Sequence, residues 1–74
     1  MSTMSETILV FKTNIKYKKD IAKVSSVLTH DAISNWNIDQ KDIDCVLRVV
    51  SQSLSEKDII EIITNEGYDC SELN

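Results

Sequence analysis

Seventy-four residues suffice for one domain, near the lower limit at which a chain can bury a core of its own. An apolar fraction of 42% fits a compact globule, while a net charge of −4 and a pI of about 4.7 exclude the broad basic footprint of a nucleic-acid binder. No run reaches membrane-spanning length, the N-terminus lacks the basic start and apolar stretch of a secretory signal, and Cys45 and Cys70 are too few and too far apart for a disulfide framework; a reducing cytoplasmic home with free thiols is expected.

Residues 1–6 are polar and expected to form a disordered tail, leaving 7–74 as a single domain. Thr7 to Thr13 is rich in β-branched and aromatic residues and predicts a strand. From Asp20 to His30, the residues Ile21, Val24, Val27 and Leu28 recur at helical spacing, with Asp20 placed as the N-cap and His30 near the C-terminus, where the helix dipole favours positive charge. Ile33 to Asp39 predicts a second strand, with Trp36 and Ile38 on one face and Asn35 and Asn37 on the other. Residues 40–44 form a polar hairpin connection, and Cys45 to Val50 a third strand. Ser55-Glu56-Lys57-Asp58 is a cap sequence that opens a second helix, whose buried face is Ile59, Ile60, Ile62 and Ile63. Gly67, the only glycine, falls where a left-handed residue ends that helix, and Tyr68 to Leu73 predicts a last strand.

The order β-α-β-β-α-β, with right-handed crossovers, yields a ferredoxin-like α+β sandwich: a four-stranded antiparallel sheet with both helices on one face. Alternation points Leu9, Phe11, Thr13, Leu47 and Val49 towards the helices. It leaves Ile8, Val10, Lys12, Val46, Arg48 and Val50 on the open face.

Charge is unevenly spread along the chain. Lys12, Lys16, Lys18, Lys19 and Lys23 fall in one span, while most acids lie elsewhere, so the sequence describes an acidic body with one basic end. Around the first strand–helix junction, Lys16, Tyr17, Lys18 and Lys19 are the candidate partner-binding residues. Two readings stand: docking of an acidic protein surface or a small anion, the latter weakened by Asp20 at the cap, or a solvated loop that balances the acidic body. For Tyr17, too, two positions are open, projecting as an anchor or folded onto Ile15 and the second helix.

Several segments resemble the heavy-metal-associated domain family of small copper chaperones and metal-pump modules. The strand Phe11-Lys12-Thr13-Asn14-Ile15 is similar to the family's first strand, with Ile15 at its usual Met position. Ile33 to Asp39 is similar to its second strand, and Ile59 to Ile63 followed by Glu66-Gly67-Tyr68-Asp69 to its last helix and turn. The resemblance implies a Met-x-Cys-x-x-Cys metal loop, whose two cysteine positions fall on Tyr17 and Asp20. A phenol and a carboxylate are not soft ligands for Cu(I) or Zn(II), so no metal site and no cofactor are carried over. Cys45 and Cys70 are expected on strands flanking the first strand from opposite sides, too far apart to replace it. One histidine and no nucleophile motif argue against an enzyme.

The expected function is therefore a degenerate module of this family, acting by protein contact or regulation without tight metal binding. Two alternatives remain: metal handling through a weak or intermolecular site, such as Cys70 thiols shared between subunits, and a small-molecule regulatory domain. Weak homo-oligomerisation would add burial to so small a core. Neither nucleic acid nor membrane is an expected partner.

Overall fold

The structure is a computed structural model that describes residues 6–73. Of the expected N-terminal tail, residues 1–5 lie outside the described residues. The elements are β1 (Thr7–Thr13), α1 (Lys18–Val27), β2 (Ile33–Asp39), β3 (Val46–Ser51), α2 (Glu56–Asn65) and β4 (Cys70–Glu72). The strands form one antiparallel sheet in the order β2-β3-β1-β4. This is the ferredoxin-like sandwich expected from the sequence.

The core lies between the sheet and the helices. Leu9 and Phe11 of β1 and Leu47 and Val49 of β3 meet Val24 of α1, Ile59 and Ile63 of α2, and Ile15 and Leu28 from the connections. The registers Leu9↔Val49 and Phe11↔Leu47 keep these apolar positions on one face, as the period of two requires. Burial on the open face is uneven: Val46, which shares the parity of Arg48 and Val50, is buried, whereas Ile8 is exposed.

Helix α2 follows its sequence signals closely. Ser55 Oγ accepts from the Asp58 N–H, and the Asp58 carboxylate accepts from the Ser55 N–H at 2.9 Å, a reciprocal cap. At the other end, Gly67 takes a φ of 92°, its N–H donates to Thr64 O, and the Tyr68 N–H donates to Ile63 O. This is a Schellman ending, in which only a residue without Cβ takes the left-handed position freely.

Three elements depart from expectation at their boundaries. Helix α1 starts at Lys18 with Tyr17 as N-cap, so Asp20 is the third helical residue. The helix also stops at Val27, which leaves His30 in the following turn, where its Nδ1 accepts from the Ala32 N–H at 3.0 Å. Cys45 precedes β3 with a φ of 45°, held by its N–H to Asp42 O at the end of an aspartate-stabilised turn. Finally, β4 spans only three residues, because Tyr68 and Asp69 are taken up by the turn.

Candidate functional site

The junction between β1 and α1 sits at one end of the sheet. Antiparallel pairing brings two other connections to the same end: the β2–β3 hairpin and the α2–β4 turn. The junction is tied to both. Asn14 Oδ1 accepts from the Asp69 N–H at 2.8 Å, and Gln40 Nε2 donates to Ile15 O at 3.3 Å. The buried Thr13 hydroxyl donates to Cys45 O at 2.7 Å and accepts from the Ile15 N–H. Ile15 itself is fully buried, so the loop is anchored by one apolar side chain and several backbone bonds.

Past Ile15 the chain turns outward. Lys16, Tyr17, Lys18 and Lys19 are all exposed, and Tyr17 retains 63% of its accessible surface. Of its two open positions, the projecting one is observed, with Lys19 Nζ 5.8 Å from the ring centroid. Lys16, Lys18 and Lys19 have no ion pair among the described residues.

Asp20 is the hub beneath them. One carboxylate oxygen accepts from the Tyr17 N–H at 3.2 Å, and the other accepts from the Tyr68 hydroxyl at 2.9 Å. The first bond satisfies a helix-terminal donor, and the negative charge suits the positive end of the helix. The second crosses 48 residues of chain to join α1 to the turn after α2. Partial burial, then the hydrogen bond to Asp20 and the charges of Asp20 and Glu66, raise the pKa of the Tyr68 hydroxyl. Lys23 Nζ lies 5.9 Å from the Tyr68 ring centroid. Sequence reasoning missed Tyr68, Asn14 and Gln40 as parts of this site; the resemblance to the family's Gly-Tyr-acid turn was the available signal for Tyr68.

The basic end is not purely basic. The fold brings Asp44 within 3.7 Å of Lys12 and sets Asp69 against Asn14, so acids remote in sequence border the lysine loop. Ile43, at 92% exposure the most exposed large apolar residue among the described residues, lies on the hairpin at this same end.

The two thiols are differently placed. Cys45 is buried and Cys70 half-buried, on either side of β1, and both are free. Burial pushes the Cys70 thiol up to about 11 from an ordinary 9.0, which disfavours the thiolate needed for metal binding. The folded thiol thus holds its proton longer than the unfolded one. Its contribution to stability is complete below pH 9.0 and is lost as pH rises towards 11. Thermal melts across that window should fall for the parent, with Tyr68 adding to the decline, and fall less for Cys70→Ala. An equal decline in both proteins would remove Cys70 as a cause.

Among the described residues no group of three or more His, Cys, Asp or Glu side chains could hold a metal ion, and no helix is long and apolar enough to cross a membrane. At the opposite end, a shallow groove of about 290 Å³ is lined by His30, Leu54, Asp58, Glu61, Ile62 and Asn65. Asp58 is committed there to the α2 cap.

The layering and strand order define a ferredoxin-like α+β domain. No family model matches the chain, and no curated protein matches its sequence significantly. Solved structures do share the fold. A CsoZ metallochaperone matches with a TM-score of 0.76 at 17% identity, over 90% of this chain and 99% of its own. A candidate copper-ion-binding protein from Bacillus anthracis str. Ames matches with a TM-score of 0.77 at 15% identity, over 93% of this chain and 100% of its own.

Proposed function

We propose that this chain is a heavy-metal-associated-like module that has lost the soft ligands of its first loop and works by protein contact, without catalysis. The observation that carries this reading is the state of Asp20. At a position where the resemblance implies a cysteine, the carboxylate is spent on the Tyr17 N–H and the Tyr68 hydroxyl. The nearby donors are a phenol and carboxylates, which suit hard cations and compete poorly with thiols for Cu(I). What the loop offers instead is Tyr17 beside Lys16, Lys18 and Lys19, an exposed aromatic among cations that have no ion pair among the described residues, which suits a protein surface carrying acids. Asp20 at the helix end argues against a small anion as the ligand.

The test has two arms. In a Cu(I) titration against a chromophoric chelator, under anaerobic reducing conditions, the chelator is expected to keep the metal. Stoichiometric retention by the protein, surviving Cys45→Ser and Cys70→Ser, would falsify the loss of metal binding. In co-purification from its own cell, the partner is expected to be lost from a Lys16→Glu, Lys18→Glu, Lys19→Glu variant. Unchanged recovery would place the contact elsewhere.

A second reading, metal handling through thiols shared between subunits, is favoured by the descriptions of the two similar structures. The raised Cys70 thiol weighs against it. Metal-dependent dimers in native mass spectrometry that vanish with Cys70→Ser would establish it.

A further inference from the structure

Two surfaces of this chain are complementary in charge and do not meet within one molecule. The first is the lysine loop. Among the described residues Tyr17 is the one exposed aromatic, and it stands among Lys16, Lys18 and Lys19, which have no ion pair there. The second is the groove between α2 and the turn after α1, lined by His30, Leu54, Asp58, Glu61, Ile62 and Asn65, with no lysine or arginine. Half-buried Leu54 and Ile62 supply its apolar part, and Asp58 and Glu61 its charge. Asp58 caps α2 through Oδ2, which leaves Oδ1 without a donor among the described residues, and Glu61 has no ion pair among them. His30 accepts at Nδ1 from the Ala32 N–H, so its ring is neutral in this arrangement and does not offset the two acids. At about 290 Å³ the groove falls just short of the roughly 300–1,000 Å³ of small-molecule pockets, which suits an inserted side chain better than a free metabolite.

We infer that the lysine loop of one copy docks in this groove of the next, with Tyr17 against Leu54 and Ile62 and its lysines facing Asp58 and Glu61. The inference rests on the reading of that loop as a contact surface for acids. Charge complementarity selects a second copy as the occupant. The groove calls for cations carried beside an apolar or aromatic group, and the chain itself exposes such a segment. Tyr17 does not line its own groove. It caps the start of α1, whereas His30 follows the end of that helix, about 15 Å away along ten residues. The contact is therefore heterologous. Each molecule in a pair keeps one free loop and one free groove, so the docking repeats into short chains or a ring and does not stop at a two-fold dimer. Few residues meet on each side, which makes the association weak, reversible and sensitive to salt.

Sedimentation velocity of the full chain over a wide concentration range, at low and high salt, tests the docking with two variants. One carries Lys16→Ala, Lys18→Ala and Lys19→Ala in the loop, and the other carries Glu61→Lys in the groove. All four side chains are exposed and without an ion pair among the described residues, so both variants keep the fold. The parent is expected to associate reversibly beyond a dimer, and less so at high salt. Each variant alone should associate about tenfold more weakly. Mixed in equal amounts, the two should form a heterodimer that grows no further, because the intact groove of one meets the intact loop of the other. With the loop variant isotope-labelled in that mixture, amide shifts should move around Glu61 and Ile62 and stay still around Tyr17. A parent that is monomeric at every concentration overturns the inference, as does a variant that associates like the parent or a mixture that fails to pair. Groove shifts that appear only when a different protein is added assign the groove to a foreign segment, and likewise overturn self-docking. The contact function of the loop falls separately, on the co-purification of the lysine-to-glutamate variant.

Discussion

Replacing Tyr17 and Asp20 together by cysteine is expected to give a chain that takes up one equivalent of Cu(I), against none for the parent. The scaffold supplies what two thiols need. Tyr17 is the N-cap and Asp20 the third residue of α1, so the new thiols would flank free helix-terminal N–H groups. That field stabilises thiolates, as do Lys16, Lys18 and Lys19, which have no competing ion pairs among the described residues. Two thiolates on Cu(I) leave one net negative charge, which the same groups would favour. The substitution has a cost. Losing the Asp20 bond to the Tyr17 N–H removes about 1 kcal/mol of capping. The Tyr68 hydroxyl also loses its partner, though it is only half-buried and water can replace the carboxylate.

Competition with a chelator and the thiolate-to-metal absorption band are the readouts, with circular dichroism to establish folding. Uptake should be unchanged when Cys45 and Cys70 are also replaced by serine, which assigns the metal to the loop. A folded double variant that leaves Cu(I) on the chelator would mean that the loop, for all its resemblance, lacks the geometry of a metal-binding turn. It would also mean that the parent's ligand replacements explain nothing about its function.

How far the chain could be read in advance depends on the range of the interactions involved. Strands β1 and β2 were legible to the residue because Thr7–Thr13 is rich in β-branched and aromatic residues and Ile33–Asp39 sets Trp36 and Ile38 between polar ones. Helix α2 was legible because its cap, apolar face and Gly67 are all local signals. Helix α1 was misplaced at both ends for a physical reason. An aspartate can cap a helix from either place, accepting from the N2 or N3 N–H as the N-cap or from the N-cap N–H as the third helical residue, so Asp20 marks a helix start without fixing its residue. The site was half legible. That Tyr17 and the lysines occupy a strand–helix loop follows from the chain order. The Asp20–Tyr68 bond and the approach of Asp44 to Lys12 join residues far apart in sequence, and only the packed sheet reveals them. The acidic body with a basic end was therefore a property of the chain order, whereas the folded surface mixes the two.

Ile15→Ala is expected to be the most damaging single change in the loop. Its side chain is fully buried in the core cluster, so truncation loses transfer energy and leaves a cavity, about 2–5 kcal/mol in all. A domain of this length has roughly 4–11 kcal/mol of total stability, so a large share would go. The melting temperature should drop by about 8–40 °C, at roughly 4–8 °C per kcal/mol for a domain this small. Ile43→Ala is the matched control, because that side chain is 92% exposed on the neighbouring hairpin and its loss should leave the melt unchanged. Ile15→Met, close in volume, should cost less than about 1.5 kcal/mol. In native-state hydrogen exchange, the Ile15 and Tyr17 amides of the alanine variant should lose protection beyond the global change, because their acceptors, Thr13 Oγ1 and Asp20 Oδ2, depend on the loop staying seated. Equal melts for Ile15→Ala and Ile43→Ala would show that the loop is not anchored through Ile15. The fixed presentation of Tyr17 and its lysines, on which a contact function depends, would then lose its structural basis.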